Sequence, residues 1–360
     1  MQLFKLVLLF WISMLACSQT TYALGDEAQP TPVVPQTLLK LVHAPEVQET
    51  LGLSIDDDAL MAILQEFDGP WWRSRNLPEE KQREVVGELE KQVLAKLKGI
   101  LKDDKIKRLR EIEVQSQGTR SLARPGIAKA VGLSSSQTEE IRKIFLETDA
   151  VSRKLLANPK DRAALEKELT TARETENRRL NELLTSAQRM SLGKLVGKPF
   201  DTASLKRILP LAPELIDSGE WTGGQPTTLA AQRGKVVLVH FYAFQCHNCV
   251  ANFDHYNRWQ KNLTSRGVCV IGIQTPETSA ERNASLVKAA AKEKGFQFPV
   301  LIDLQNKNWD AWGNTMWPTV YVIDKKGFIR SWWQGELNWQ GATGDKSIET
   351  LVDQLLEETY

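Results

Sequence analysis

Two cysteines three positions apart, Cys246 and Cys249, are the residues here whose type and spacing could do covalent chemistry. They follow the apolar run Lys235-Val-Val-Leu-Val-His240 and the segment Phe241-Tyr-Ala-Phe-Gln245, which reads as a buried strand feeding a turn and then a helix. At a helix N-terminus, unpaired backbone N–H groups and a partial positive charge both favour a thiolate over a thiol. Such a pair can exchange disulfides with another protein.

The other cysteines set the context. Cys269 sits in the strand-like run Val268-Cys-Val-Ile-Gly-Ile273 and reads as a small core hydrophobe. Cys17 lies in the leading segment, where Lys5 precedes a mostly apolar stretch, Leu6 to Ala16, and Thr21-Tyr22-Ala23 offers a cleavage site. This pattern predicts a signal peptide over 1–23 and export to a periplasmic or other extracytoplasmic space, with an uncleaved anchor or lipidation at Cys17 as rivals. One close pair and one single cysteine do not make a disulfide-stapled scaffold. A formal charge of +1 over 360 residues gives no broad attraction to nucleic acid.

The elements that must position the pair fall into two classes. Residues 24–38, with Pro30, Pro32 and Pro35, read as a flexible leader. Residues 39–199 read as an all-α region. Val86, Leu89, Val93, Leu97 and Ile100 share one helix face, as do Ile141, Ile144, Thr148, Val151 and Leu155. Two weak repeats run through it: Pro45 to Ser54 resembles Pro125 to Ser134, and Ser134-x-x-Gln137 and Thr185-x-x-Gln188 fit the capping box. This region is expected to mediate docking or oligomerisation, or to serve as a helical spacer. Residues 200–213 read as a linker.

From 214 to 360 strands and helices alternate. The expected strands are 236–242, 268–273, 298–302, 319–323 and 328–333, and the helices about 247–263, 279–294, 305–313 and 347–358. Alternation predicts an α/β domain with helices on both sheet faces. The Lys325-Lys-Gly327 turn makes the last two strands antiparallel, and so the sheet mixed.

Four fragments in order carry a resemblance: Gly234 to Cys249, Gly272 to Glu277, Phe298 to Asp303 and Trp317-Pro318-Thr319 to Asp324. Residues 214–360 resemble the thioredoxin superfamily, in particular its exported TlpA/ResA-like branch and the C-terminal domains of DipZ-type proteins. The resemblance implies a thioredoxin-fold thiol–disulfide oxidoreductase without a cofactor. Its partners would be protein thiols or disulfides, with a membrane or periplasmic electron donor and, in this branch, action as a reductant. It implies that Cys246 is the nucleophile and Cys249 the resolving cysteine. Pro318 would be the cis-proline facing them, and Trp317 would contact substrate.

Several residues depart from the family pattern. His240 stands where relatives carry a buried Asp; it reads either as a proton relay with a near-neutral pKa or as a core histidine. Gln245 replaces a tryptophan. His247 reads either as stabilising the Cys246 thiolate or as pointing into water, and Glu277 either as tuning proton transfer or as an exposed loop carboxylate. Two other readings stay open: copper delivery through Cys246 and Cys249, and a helical partner-binding protein with a secondary redox domain. A peroxidatic site is excluded by Ala243, which stands where a threonine would be needed.

Overall fold

The computed structural model describes residues 31–54, 57–157, 162–203, 205 and 210–358. The expected signal peptide lies outside the described residues, among which no helix is long and apolar enough to cross a membrane.

The first half is helical: α1 (Leu38–His43), α2 (Pro45–Leu51), α3 (Asp58–Ser74), α4 (Glu79–Ile100), α5 (Asp103–Gln117), α6 (Pro125–Val131), α7 (Ser135–Ala157), α8 (Arg162–Leu183) and α9 (Ser186–Val196). The two sequence repeats share one local structure. Helices α2 and α6 each begin with proline and end on a left-handed glycine, Gly52 at φ 73° and Gly132 at φ 77°. The next residues, Leu53 and Leu133, donate back to Gln48 and Ala128, closing the turn as a Schellman motif. Both capping boxes form, and their glutamines, Gln137 and Gln188, bond each other at 2.9 Å. The first repeat builds a core from α1–α5 that includes Val86, Leu89, Val93 and Leu97; Ile100, where α4 ends, is exposed. A smaller core from α6–α9 includes Ile141, Ile144 and Phe145.

Of the expected leader over 24–38, residues 31–38 are described, and they are bonded to the helices. Val33 N donates to Asp149, Gln117 to the Pro35 carbonyl, Gln36 to the Arg83 carbonyl, and Leu38 N to Glu90. Proline-rich backbone has few partners of its own, so side chains of the helices supply them. The described residues of the expected linker, 200–213, make contacts as well. Phe200, Leu205 and Leu211 pack on the first helical core, and Leu211 forms a bridge to Phe328.

The second half holds a six-stranded sheet in the order β1-β4-β3-β2-β5-β6. The strands are β1 (Trp221–Thr222), β2 (Val236–Tyr242), β3 (Val268–Gln274), β4 (Val300–Ile302), β5 (Thr319–Ile323) and β6 (Ile329–Gln334). Strands β2, β3 and β4 are mutually parallel, while β1, β5 and β6 each join by an antiparallel pairing. Two-residue β1 was not expected from sequence; it is too short to show a period. The helices are α10 (His247–Val250), α11 (Phe253–Leu263), α12 (Ala284–Glu293), α13 (Lys307–Trp312) and α14 (Gly344–Glu357).

Alternate residues of β2 serve opposite faces, as the two-residue strand period requires. Val236, Leu238 and Tyr242 face a core closed by α11 and α14; Val237, Val239 and Phe241 face one closed by α13 and by Trp72 of α3. A helical-region side chain thus completes the second face of the sheet.

Candidate redox site

The parallel strand β2 ends at Tyr242, and the chain turns so that Cys246 becomes the N-cap of α10. The expected single helix 247–263 is broken at Ala251–Asn252. Buried Asn252 spends its side chain on the distant loop after β6, accepting from Leu337 N at 2.9 Å and donating to the Gly335 carbonyl at 3.2 Å. The break ties the cysteine turn to the sheet edge.

The two sulfurs meet different surroundings. Cys246 is half-buried and Cys249 fully buried, and both are free thiols. The Cys246 thiol lies below its ordinary value. A hydrogen bond from the Cys249 side chain does most to lower it, burial opposes, the Cys249 backbone N–H lowers it again, and Glu277 raises it through charge and hydrogen bonding. Burial and the hydrogen bond to Cys246 push the Cys249 thiol far up, although Ala243 N donates to its sulfur at 3.5 Å. Of the two sulfurs, the outer one is therefore the one whose thiolate the surroundings favour.

Pro318 begins the approach to β5, and the Trp317–Pro318 bond is cis. The half-buried Trp317 packs against the same core as Cys246 and Cys249. Its ring stacks on Trp309 at 4.0 Å, and its Nε1 donates to Thr275 Oγ1 at 2.8 Å.

The structure separates the remaining candidates. Glu277 acts on Cys246, as described. His247 is exposed, and its side chain makes no hydrogen bond among the described residues. His240 is 1% exposed, stacks on Tyr256 at 3.9 Å, and leaves both ring nitrogens without a partner. Burial alone drives its imidazole down to about 3, so it is neutral across the physiological range. Cys269 is half-buried, and burial pushes its thiol up to about 11. His255, on α11, meets Asp345 at 3.6 Å. No cluster of three or more metal-ligating side chains occurs among the described residues.

One residue was missed in the sequence. The fully buried Glu281 accepts three backbone N–H bonds, from Gln245 at 2.7 Å and from Glu277 and Thr278 at 2.8 Å each. It clamps the turn before Cys246 to the loop that carries Glu277. In sequence it was one more acidic residue of the helix expected over 279–294, and only its three partners distinguish it.

Comparison with known proteins agrees with this geometry. Residues 211–332 match the model of the AhpC/TSA family. Protein DipZ of Mycobacterium bovis is 30% identical over 252 residues, covering 66% of this chain; the chain spans only 35% of DipZ. The thiol-disulfide oxidoreductase YkuV of Bacillus subtilis is 26% identical over 147 residues, 41% of this chain and 95% of YkuV. Among solved structures, the thioredoxin-like superfamily protein SPOA0173 is 25% identical over 41% of this chain and 97% of its own, with a TM-score of 0.37. The C-terminal half of the chain is a thioredoxin-like domain, and its residues 211–332 are similar to the AhpC/TSA family.

Proposed function

We propose that the chain is an extracytoplasmic thiol–disulfide oxidoreductase that reduces disulfides of protein partners through Cys246 and Cys249. The observation that carries this reading is the inequality of the two sulfurs: one half-buried, with its thiol held below the ordinary value, the other fully buried, with its thiol pushed far up.

The Cys246 thiolate attacks one sulfur of the partner disulfide, and a mixed disulfide forms as the partner's other sulfur leaves as thiolate and takes a proton. Cys249 then loses its proton and attacks Cys246 Sγ, closing the Cys246–Cys249 disulfide and releasing the second partner thiol. Two electrons pass from the pair to the partner. A membrane or periplasmic donor would return them.

Glu277 supports the reducing direction. A carboxylate beside Cys246 disfavours the thiolate, destabilises the reduced pair relative to the disulfide and so lowers the potential. Trp317 and Pro318 would line the partner's path to Cys246. His240 belongs to the core in this reading, because no proton donor or acceptor reaches its ring. Export rests on the leader sequence alone.

The test is trapping. Cys246→Ser abolishes exchange, whereas Cys249→Ser accumulates mixed disulfides through Cys246, resolved by non-reducing gel electrophoresis and mass spectrometry. Equal trapping by both variants, or by neither, would overturn the assignment.

A further inference from the structure

We infer that the helical half is a positioning element of the redox site: Trp72, Arg75 and Asn76 cap the C-terminus of α13 and thereby hold the Trp317–Pro318 loop in register for a protein substrate. This rests on the oxidoreductase reading above and deepens it.

The argument begins with α13, a helix of six residues. Its last carbonyls have no partner within the helix. Gly313 N turns back to Asp310 and Trp309, but the carbonyls of residues 311–313 still point outward. The C-terminal end of α3 meets them. Trp72 Nε1 donates to the Trp312 carbonyl at 2.9 Å, and Arg73 reaches the Ala311 carbonyl at 3.3 Å. Arg75 donates to the carbonyls of Trp312 at 3.2 Å and Gly313 at 2.9 Å, and Asn76 to that of Gly313 at 2.7 Å. A guanidinium at a helix C-terminus also faces the negative end of the helix dipole. Gly313, at φ 58°, is the residue that permits this approach, since a Cβ there would lie 3.2 Å from Arg73, Arg75 and Asn76.

The contact is buried as well as polar. Trp72 is 4% exposed and meets Trp332 edge-on at 4.9 Å. Arg75 stacks on the Trp72 ring at 3.8 Å and reaches the Tyr321 hydroxyl at 3.3 Å. That hydroxyl donates to Asn314 Oδ1 at 2.8 Å.

From there the route to the substrate loop is short. Residues 313–316 run directly from this cap to Trp317. On the buried side, α13 carries Trp309, which stacks on Trp317. If the cap is lost, the carbonyls of α13 must turn to water, and the segment that orients Trp317 loses its anchor on one side. Neither sulfur of the redox pair touches the cap, so the effect should fall on partner recognition and leave thiol chemistry alone.

The test compares the full-length protein with Arg75→Ala/Asn76→Ala, using insulin as a protein disulfide and dithiodipyridine as a small one. The expected result is a loss of about tenfold in kcat/KM toward insulin, carried by KM, with hydrogen exchange accelerated at residues 313–318. The rate with dithiodipyridine and the equilibrium with glutathione should stay within about twofold. Arg75→Lys, which keeps the charge without the planar fork, should restore part of the insulin rate. Unchanged insulin turnover in the folded double variant, or equal losses with both disulfides, would overturn the inference. Should the double variant not fold, Asn76→Ala alone removes an exposed bond; unaltered insulin KM there would overturn it equally. A wild-type protein that reduces neither disulfide refutes the oxidoreductase reading itself.

Discussion

At Cys246 the local charges compete, and the competition can be measured. The Cys249 side chain and backbone stabilise the thiolate, while burial and Glu277 oppose it. Glu277→Gln removes the nearest negative charge, so the pH midpoint for alkylation of Cys246 should move lower and the pair should become more oxidising. An unchanged or raised midpoint would show that Glu277 has no hold on the sulfur. His240 gives a second residue-scale outcome, with its sign set by burial. Its folded value of about 3 lies below the unfolded value of 6.5. The stability of the neutral form is therefore present above about pH 6.5 and is lost by about 1.4 kcal/mol per pH unit as pH falls toward 3. His240→Leu, which also removes two unpartnered nitrogens, should raise the unfolding free energy at pH 5 more than at pH 7 in urea titrations. A pH-independent difference would mean that the ring finds a partner.

The elements that carry the helical half were legible where termination chemistry is local. Proline at the start and glycine past the end of α2 and α6 announce those helices in sequence, and both glycines adopt left-handed backbone. Gly132→Ala should cost about 1–2 kcal/mol, since a Cβ there meets open space and strains only the backbone. Gly126→Ala, inside α6 and also facing open space, should instead stabilise by roughly 0.5–1 kcal/mol. Denaturant midpoints that moved in the same direction for both would contradict this reading. The break between α10 and α11 was not legible, because its cause is Asn252 bonding to residues more than eighty positions away.

Over the whole molecule, the two halves are joined by buried polar contacts as well as apolar ones. His43 Nε2 meets Asp68 Oδ2 at 2.8 Å, and the same oxygen accepts Leu211 N from the connection between the halves. The His43 ring also lies 5.9 Å from Phe328 of the β5–β6 turn. Burial would lower the imidazole, but Asp68 and the Leu39 carbonyl outweigh it and hold the group above its ordinary value. With a folded value above the unfolded 6.5, the pair contributes stability that is complete below about pH 6.5 and fades as pH rises through the folded value. His43→Leu leaves Asp68 buried without its cation and should cost roughly 3–5 kcal/mol at pH 6, and less at pH 9. Calorimetry at the two pH values decides it; a cost that grew with pH would reverse the assigned charge state.

What the sequence determined by itself is whatever depends on near neighbours. The run of β2, the cysteine spacing, the helix caps and the strand–helix alternation all arise from periods and turn residues within a few positions, and strands β2 and β5 have the bounds read from them. The tertiary structure decided what depends on partners far along the chain. It made Glu281 a clamp, isolated His240, turned His247 to solvent, fastened residues 33–38, and set Trp72 and Arg75 against α13. Burial and hydrogen bonding across more than two hundred positions leave no local trace, because the same residue types serve equally well on a solvated face.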